Sequence, residues 1–313
     1  MSTTRRKFIK QATTGLAAIT FAPQELWAKP EPVKLTILHT NDMHSRVEPF
    51  PNDGRKWGGL GGMARRASLI KQIRQQESNV LLLDAGDIIQ GTPYFNFFGG
   101  EVELKLMSQM GYDAATLGNH DFDNGIAGLE KMLPFAKFPY LIANYDFSQE
   151  NNLKTVFQPY KIFEKQGVKI GVFGLGIELK GLVLDKHFGG IKHIDSIGVA
   201  KEMVQTLKAQ KCNLIVCVSH LGYKYEEDPN RISDSTLAQK VEGIDVILGG
   251  HTHTFLDKPD EIVSKSGHKT IINQVGWAGI RLGRVDFVFE KGKVKSTPQT
   301  TSSMIIGEEF NKF

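Results

Sequence analysis

A layered α/β architecture is predicted, and three observations carry that prediction. From Val33 onward, apolar β-branched runs alternate with stretches of helical period. No internal repeat or low-complexity linker interrupts the alternation. Clusters of polar residues fall directly after the apolar runs, where strands would end. The strand candidates are residues 34–39, 80–83, 114–117, 140–143, 169–174, 214–218, 246–248 and 270–273. Helical period is clearest at 63–75, 102–110 and 199–211, the last with Ala200, Met203, Val204 and Leu207 on one face. Residues 282–290 and 293–296 flank Lys291-Gly292 and read as a hairpin. One domain is expected over about residues 33–300. A loosely attached tail follows, beginning near Thr297 and covering 301–313.

With 313 residues, 41% hydrophobic and 23% charged, the chain has the balance of a globular protein with a full core, which excludes disorder, collagen and coiled coil. The formal charge of +4 is concentrated at the front. Arg5, Arg6, Lys7 and Lys10 face one acid, Glu25, within residues 1–28, so the remainder carries only about +1. A body built for nucleic acid or an anionic membrane is therefore not expected.

The same front end reads as an address. Arg5-Arg6 precede an uncharged stretch, residues 15–21, too short to span a bilayer. The cations form one block ahead of this run, unlike the spread along one face of a basic amphipathic helix. Residues 1–28 are thus read as a twin-arginine signal peptide cut after Ala28. That implies a periplasmic or otherwise exported protein with no stable membrane insertion after cleavage. Cys212 and Cys217 would lie about 17 Å apart on an extended strand, too far for a disulfide, and are expected as core thiols.

The chemistry lies in the turns. Asn41-Asp42-Met43-His44 follows the first strand, Asp84-Ala85-Gly86-Asp87 the second, and Gly118-Asn119-His120-Asp121-Phe122-Asp123 the third. Ser219-His220 follows 214–218, and Gly250-His251-Thr252-His253 follows 246–248. A lone Asp-x-His or His-x-His is more often a capping or surface pair than a ligand set. Five such turns are different, because open α/β sheets gather their ligands beyond the carboxyl ends of the strands. Carboxylates, imidazoles and one amide, without thiolate, suit Zn, Mn or Fe in a dinuclear site. A bridging side chain must offer two oxygens, and Asp87 is the natural candidate.

These blocks, in this order, resemble the calcineurin-like metallophosphoesterases, and within them the 5'-nucleotidase branch. The resemblance runs from about Leu35 to Arg284. It implies a four-layer sandwich of two facing mixed β-sheets flanked by helices, holding two divalent metal ions. One ion would take Asp42, His44, Asp87 and His253; the other would share Asp87 and add Asn119, His220 and His251. His120 would be the catalytic histidine and Asp123 would orient it. His253 stands where the nucleotidase branch commonly has Gln or Asn. The branch also carries a C-terminal domain that clamps the base, and this chain ends before one would fit. The expectation is an exported phosphomonoester hydrolase acting on nucleotides, with base selectivity supplied by a separate nucleotide-binding partner. A phosphodiesterase or nucleotide-sugar pyrophosphatase is the alternative, or a scaffold subunit that needs a partner for activity.

Smaller expectations accompany these. Gly58-Gly59-Leu60-Gly61-Gly62 is either a phosphate cradle or a flexible turn. Asp84 is read as a structural hydrogen-bonding group and Asn144 as a cap. Phe95, Phe97 and Phe98 are read as core packing. His39, His187, His193 and His268 are read as surface or satisfied core residues.

Overall fold

A central strand of eight residues, β1 (Val33–Thr40), is buried almost throughout, which follows from its apolar run Leu35, Ile37 and Leu38. The structure is a computed structural model that describes residues 31–290 and 298–311. The expected signal peptide and the expected strand at 293–296 lie outside the described residues.

After β1 the chain forms α1 (Met63–Gln76), β2 (Val80–Asp84), α2 (Pro93–Phe98), α3 (Glu101–Met110), β3 (Ala114–Ala115) and α4 (Gly125–Met132). It continues through β4 (Tyr145–Asp146), β5 (Tyr160–Lys165), β6 (Val168–Leu175), α5 (Asp185–Phe188), β7 (Lys192–His193) and α6 (Ser196–Ala209). The last elements are β8 (Leu214–Ser219), α7 (Asp234–Lys240), β9 (Val246–Gly249), β10 (Asp260–Val263), β11 (Lys269–Asn273), β12 (Arg281–Phe289) and β13 (Pro298–Ile305). Helix α6 shows why such segments become helices. Asp195 caps it, accepting the Gly198 amide at 2.7 Å, and Ala200, Met203, Val204 and Leu207 form its buried face.

Five strands form one sheet in the order β13-β12-β1-β2-β3, and six form another in the order β10-β11-β9-β8-β6-β5. Both are mixed: β1, β2 and β3 run parallel, as do β6, β8, β9 and β11, with antiparallel strands at the outer positions. A shared apolar layer shows that the sheets face each other. Leu35, Ile37, Leu81, Leu83 and Val285 of the first pack in one cluster with Ile170, Val172, Val216, Val246 and Leu248 of the second. The opposite face of the first sheet is covered by α1, α3 and α4, and that of the second by α6 and α7. This is the four-layer sandwich that the resemblance implies.

The differences from the sequence reading fall at sheet margins. Residues 140–143 make only isolated bridges, Ala115 to Tyr140 and Leu141 to Gln158. The tail expected to be loose is instead an edge strand: β13 pairs antiparallel with β12 from Arg281–Ile305 to Phe287–Pro298, and Ile306 beyond it is fully buried. Pro298 heads this strand, where a missing amide costs no ladder bond. The partner of β12 among the described residues is β13, and the turn expected at 291–292 lies outside them. Cys212 and Cys217 are free thiols, Cys217 buried, as expected.

The inter-sheet layer makes a stability prediction. Leu248→Ala removes a fully buried side chain from that layer and should lower the unfolding free energy by about 2–5 kcal/mol. Val263→Ala, on a half-exposed edge position, should change it by less than about 0.5 kcal/mol. Urea unfolding followed by circular dichroism measures both.

Candidate metal centre

Parallel pairing sets the carboxyl ends of β1, β2, β3, β8 and β9 side by side, so the five turns leave the sheets at one rim. The turns are sharp. Asp42, His44, Asp87, His251 and His253 all hold positive φ, from 47° to 71°. That conformation disfavours residues with a side chain, and each instance costs on the order of 1 kcal/mol. Close approach adds a second demand: a side chain at Gly118 would collide with the Asp87 carboxylate and backbone.

Every sequence-predicted site residue arrives at this rim. Ligand atoms of Asp42, His44, Asp87 and His253 lie within 4.8 Å of one another, as do those of Asp87, His220 and His251. Asp87 belongs to both groups. His253 Nε2 is 3.2 Å from Asp42 Oδ1, and His220 Nε2 is 3.1 Å from Asp87 Oδ2. Asn119 joins the second group through its Oδ1, 2.8 Å from His251 Nδ1. His120 belongs to neither group. Its amide donates to Asp87 Oδ1 at 2.8 Å, and its Nδ1 is 2.9 Å from Asp123 Oδ2.

The donor set fits divalent cations. His220 Nδ1 donates to the Ala85 carbonyl at 2.6 Å, so in the neutral ring Nε2 carries a lone pair. That nitrogen is buried, and although close to Asp87 it is not aligned with it as a hydrogen bond. His44 Nε2 and His253 Nε2 face each other at 3.0 Å, so the two rings present a nitrogen to the same point, and one tautomer joins them by a hydrogen bond when no cation is there. The charges agree. Burial alone would lower His220, yet the negative charge of Asp87 outweighs it and raises the bare imidazole to about 10. Burial acts against ionised Asp87, but His220 and then His44 hold its carboxyl well below the usual range. His251 is lowered to about 4, by burial first and the His220 charge second, which leaves it neutral as a ligand must be.

Supporting residues that the sequence reading passed over hold the turns in place. Asp121, fully buried, accepts the amides of Gly118 and Asp87 at 2.8 and 3.1 Å on one oxygen and that of Ile88 at 3.1 Å on the other. Burial and then the charge of Asp87 raise its pKa. Asn41 donates to Asp42 Oδ2 and to the Gly276 carbonyl, both at 2.6 Å. Gln274 donates to the Gly250 carbonyl at 2.5 Å and accepts from Thr252 and Thr254. The Trp277 indole stacks on His253, with planes 8° apart and centroids 5.8 Å apart. Asp121 lies inside a motif block, and its position two residues after Asn119 was the available signal. Gln274 and Trp277 follow β11 without any pattern.

The remaining candidates are structural. Asp84 accepts Thr40 Oγ1 at 2.6 Å and the Gly86 amide at 2.9 Å, as expected. Asn144 is no turn cap: it exchanges two hydrogen bonds with the backbone of Gly176, tying two strand ends together. The amides of Gly58, Gly59 and Gly61 are already bonded to the carbonyls of Arg55, Phe50 and Ile306, so that segment is a turn and not a phosphate cradle. His39 is buried against Asn273, and His193 against Asn144. Phe95 is partly packed on the core, whereas Phe97 and Phe98 are exposed, against the core-packing expectation.

A two-sheet α/β sandwich with Asp and His residues clustered for metal at its strand ends defines a metallophosphoesterase-type protein. The sequence model of the calcineurin-like phosphoesterases matches residues 35–255, and the chain belongs to that family. It is 37% identical over 281 residues to the snake venom 5'-nucleotidase of Gloydius brevicauda, covering 83% of this chain and 46% of that one. It is likewise 37% identical over 306 residues to the 5'-nucleotidase of Vibrio cholerae serotype O1, covering 90% and 53%. The crystal structure of a 5'-nucleotidase precursor from Thermus thermophilus superposes with a TM-score of 0.78 at 31% identity, covering 88% of this chain and 55% of that one. The chain thus spans about half the length of the curated relatives it matches. No helix among the described residues is long and apolar enough to cross a membrane.

The Asp121 clamp can be tested without reference to activity. Asp121→Ala leaves three buried amides without their acceptor and should lower the unfolding free energy by about 2–5 kcal/mol. Chemical denaturation of the metal-free protein checks it.

Proposed function

We propose that this centre holds two divalent ions, Zn, Mn or Fe, and hydrolyses phosphate monoesters, nucleotides among them. The single observation that carries the reading is Asp87, whose carboxylate belongs to both groups of ligand atoms while the His120–Asp123 pair stands beside them. Asp42, His44, Asp87 and His253 would hold one ion, and Asp87, Asn119, His220 and His251 the other. Bound there, such ions would supply activation of a water and stabilisation of charge in a displacement at phosphorus.

The chain's own residues supply the proton. Asp123 accepts from His120 Nδ1 and thereby fixes the ring so that Nε2 is free for the substrate. That hydrogen bond raises the pKa of His120, in the direction a proton donor needs. As water adds to phosphorus and the ester P–O bond breaks, the Nε2 proton passes to the leaving oxygen, giving an alcohol and phosphate. The ring packs edge-on against His44, centroids 5.2 Å apart, but its nitrogens belong to neither ligand group, so proton transfer and metal binding are separable tasks. Discrimination among nucleobases is assigned to a separate nucleotide-binding partner.

Purified protein loaded with Mn or Zn and assayed on panels of mono- and diesters tests the reaction class; a protein that releases phosphate from none of them contradicts it. His120→Ala should retain the metal content and KM while kcat falls by about two or more powers of ten. Loss of metal together with activity would make His120 a ligand and undo the assigned role.

Export is part of the same proposal, supported by the Arg5-Arg6 block and the apolar run after it. Replacing Arg5 and Arg6 by lysine should retain the protein in the cytoplasm with the activity of the purified body unchanged. An undiminished exported fraction contradicts the twin-arginine assignment.

A further inference from the structure

An imidazole that is to hold a metal ion needs a second contact to fix the plane of its ring, normally a hydrogen bond at the nitrogen that does not bind. His220 has one, from Nδ1 to the Ala85 carbonyl. His44 is enclosed, with the rings of His120 and His253 edge-on against it. His253 stands on the open side: its side chain is 40% exposed, against 9% for His44. Among the described residues, the polar contacts of its ring are all made by Nε2, to Asp42 Oδ1 at 3.2 Å and to His44 Nε2 at 3.0 Å. Nothing polar orients the ring from its other edge.

An indole stands in that place. Trp277 lies parallel to the His253 ring, with planes 8° apart and centroids 5.8 Å apart. The indole is itself braced. Phe50 packs edge-on against it, also with centroids 5.8 Å apart, and the Arg46 guanidinium lies over the Phe50 ring, 4.2 Å from its centroid. The stack therefore runs from the last ligand turn back to Arg46, two residues beyond His44.

The backbone around Trp277 is pinned on both sides to the turns that carry the ligand candidates. The Ala278 amide donates to the Asp42 carbonyl at 2.7 Å and the Gly276 amide to the Thr254 carbonyl at 2.9 Å. Asn41 accepts the Val275 amide at 3.0 Å and donates to the Gly276 carbonyl at 2.6 Å. A side chain at Gly276 would collide with the Phe255 ring, and Ala278 is held at φ 55°, so the segment that presents the indole has little freedom. In the second group of ligand atoms the ring contact among the described residues is between its own two histidines, His220 and His251, with centroids 5.3 Å apart. An outside aromatic brace is thus a feature of the first group.

We propose that Trp277 is a positioning residue for one ion of the centre: the indole holds the His253 ring in the plane that aims Nε2 at the point shared with Asp42, His44 and Asp87. The affinity of that ion depends on the stack, whereas the ion beside His220 and His251 does not need it. The assignment rests on the two-ion reading and deepens it, since it makes the two sites unequal in what holds them.

Equilibrium dialysis against Mn at graded free concentrations, with bound metal measured by elemental analysis, tests it. The native protein should bind two ions. Trp277→Ala should weaken one of them by about tenfold or more, and Trp277→Phe, which keeps a flat ring, should recover most of that loss. His253→Gln retains a ligand oxygen but removes the imidazole, so in that background Trp277→Ala should change neither affinity further. An equal loss from Trp277→Ala in both backgrounds shows that the indole merely supports the turn, and overturns the assignment. A native binding curve for Trp277→Ala overturns it as well. Both of those results leave two-ion binding by the native protein standing, whereas native protein that binds fewer than two ions removes the two-ion reading and the assignment with it.

Discussion

The carboxylate of Asp87 is the constraint on which the rest of the molecule depends. It is 1% exposed, sits within ligand distance of two sets of imidazole nitrogens, and accepts the backbone amide of His120 on one oxygen. Burying Asp42 and Asp87 together with His44 and His220, beside the half-buried His251 and His253, is costly for a bare protein, because unpaired charge in a low-dielectric interior is strongly disfavoured. The bare chain answers with a proton on His220, raised to about 10 by the carboxylates around it. Divalent cations would answer the same demand without that proton and would leave one nitrogen of each neutral ring as a ligand.

Holding such a cluster falls to the fold. The two sheets meet across a dry layer of Leu, Ile and Val, so the carboxyl ends of their parallel strands are fixed relative to one another. Turns leaving those ends can then be forced into left-handed backbone at five ligand positions. Asp121 connects two of the turns through three amide hydrogen bonds, and Asn41 and Gln274 connect the first and last turns to the segment after β11. Local strain at the rim is tolerated because packing behind it leaves the turns no alternative.

Much of this was legible in the sequence, for definite reasons. Central strands such as β6, β8 and β9 are buried on both faces and read as continuous apolar runs, and the residues needed for metal lie at their ends. Of the edge strands only β3 was legible. β5 is half exposed along its length and carries Lys161, Glu164 and Lys165, while β10 alternates partly buried and exposed residues from Asp260 to Val263. Composition of that kind is what protects a sheet edge, and it removes the apolar signal. β13 was hidden in the same way, since Pro298 and the run of Thr and Ser after it look like tail. The seven ligand candidates were legible from turn position and from the family resemblance. Asp121 was not singled out because its partners are backbone amides, and Trp277 was missed because stacking on an imidazole leaves no spacing pattern.

The central claim is that one carboxylate serves two ions, and anomalous diffraction from crystals of the Mn- or Zn-loaded protein addresses it directly. Two peaks about 3.5–4 Å apart, one beside each oxygen of Asp87 or both within coordination distance of its carboxylate, are the expected result. A single peak, or two that do not share Asp87, would contradict the account.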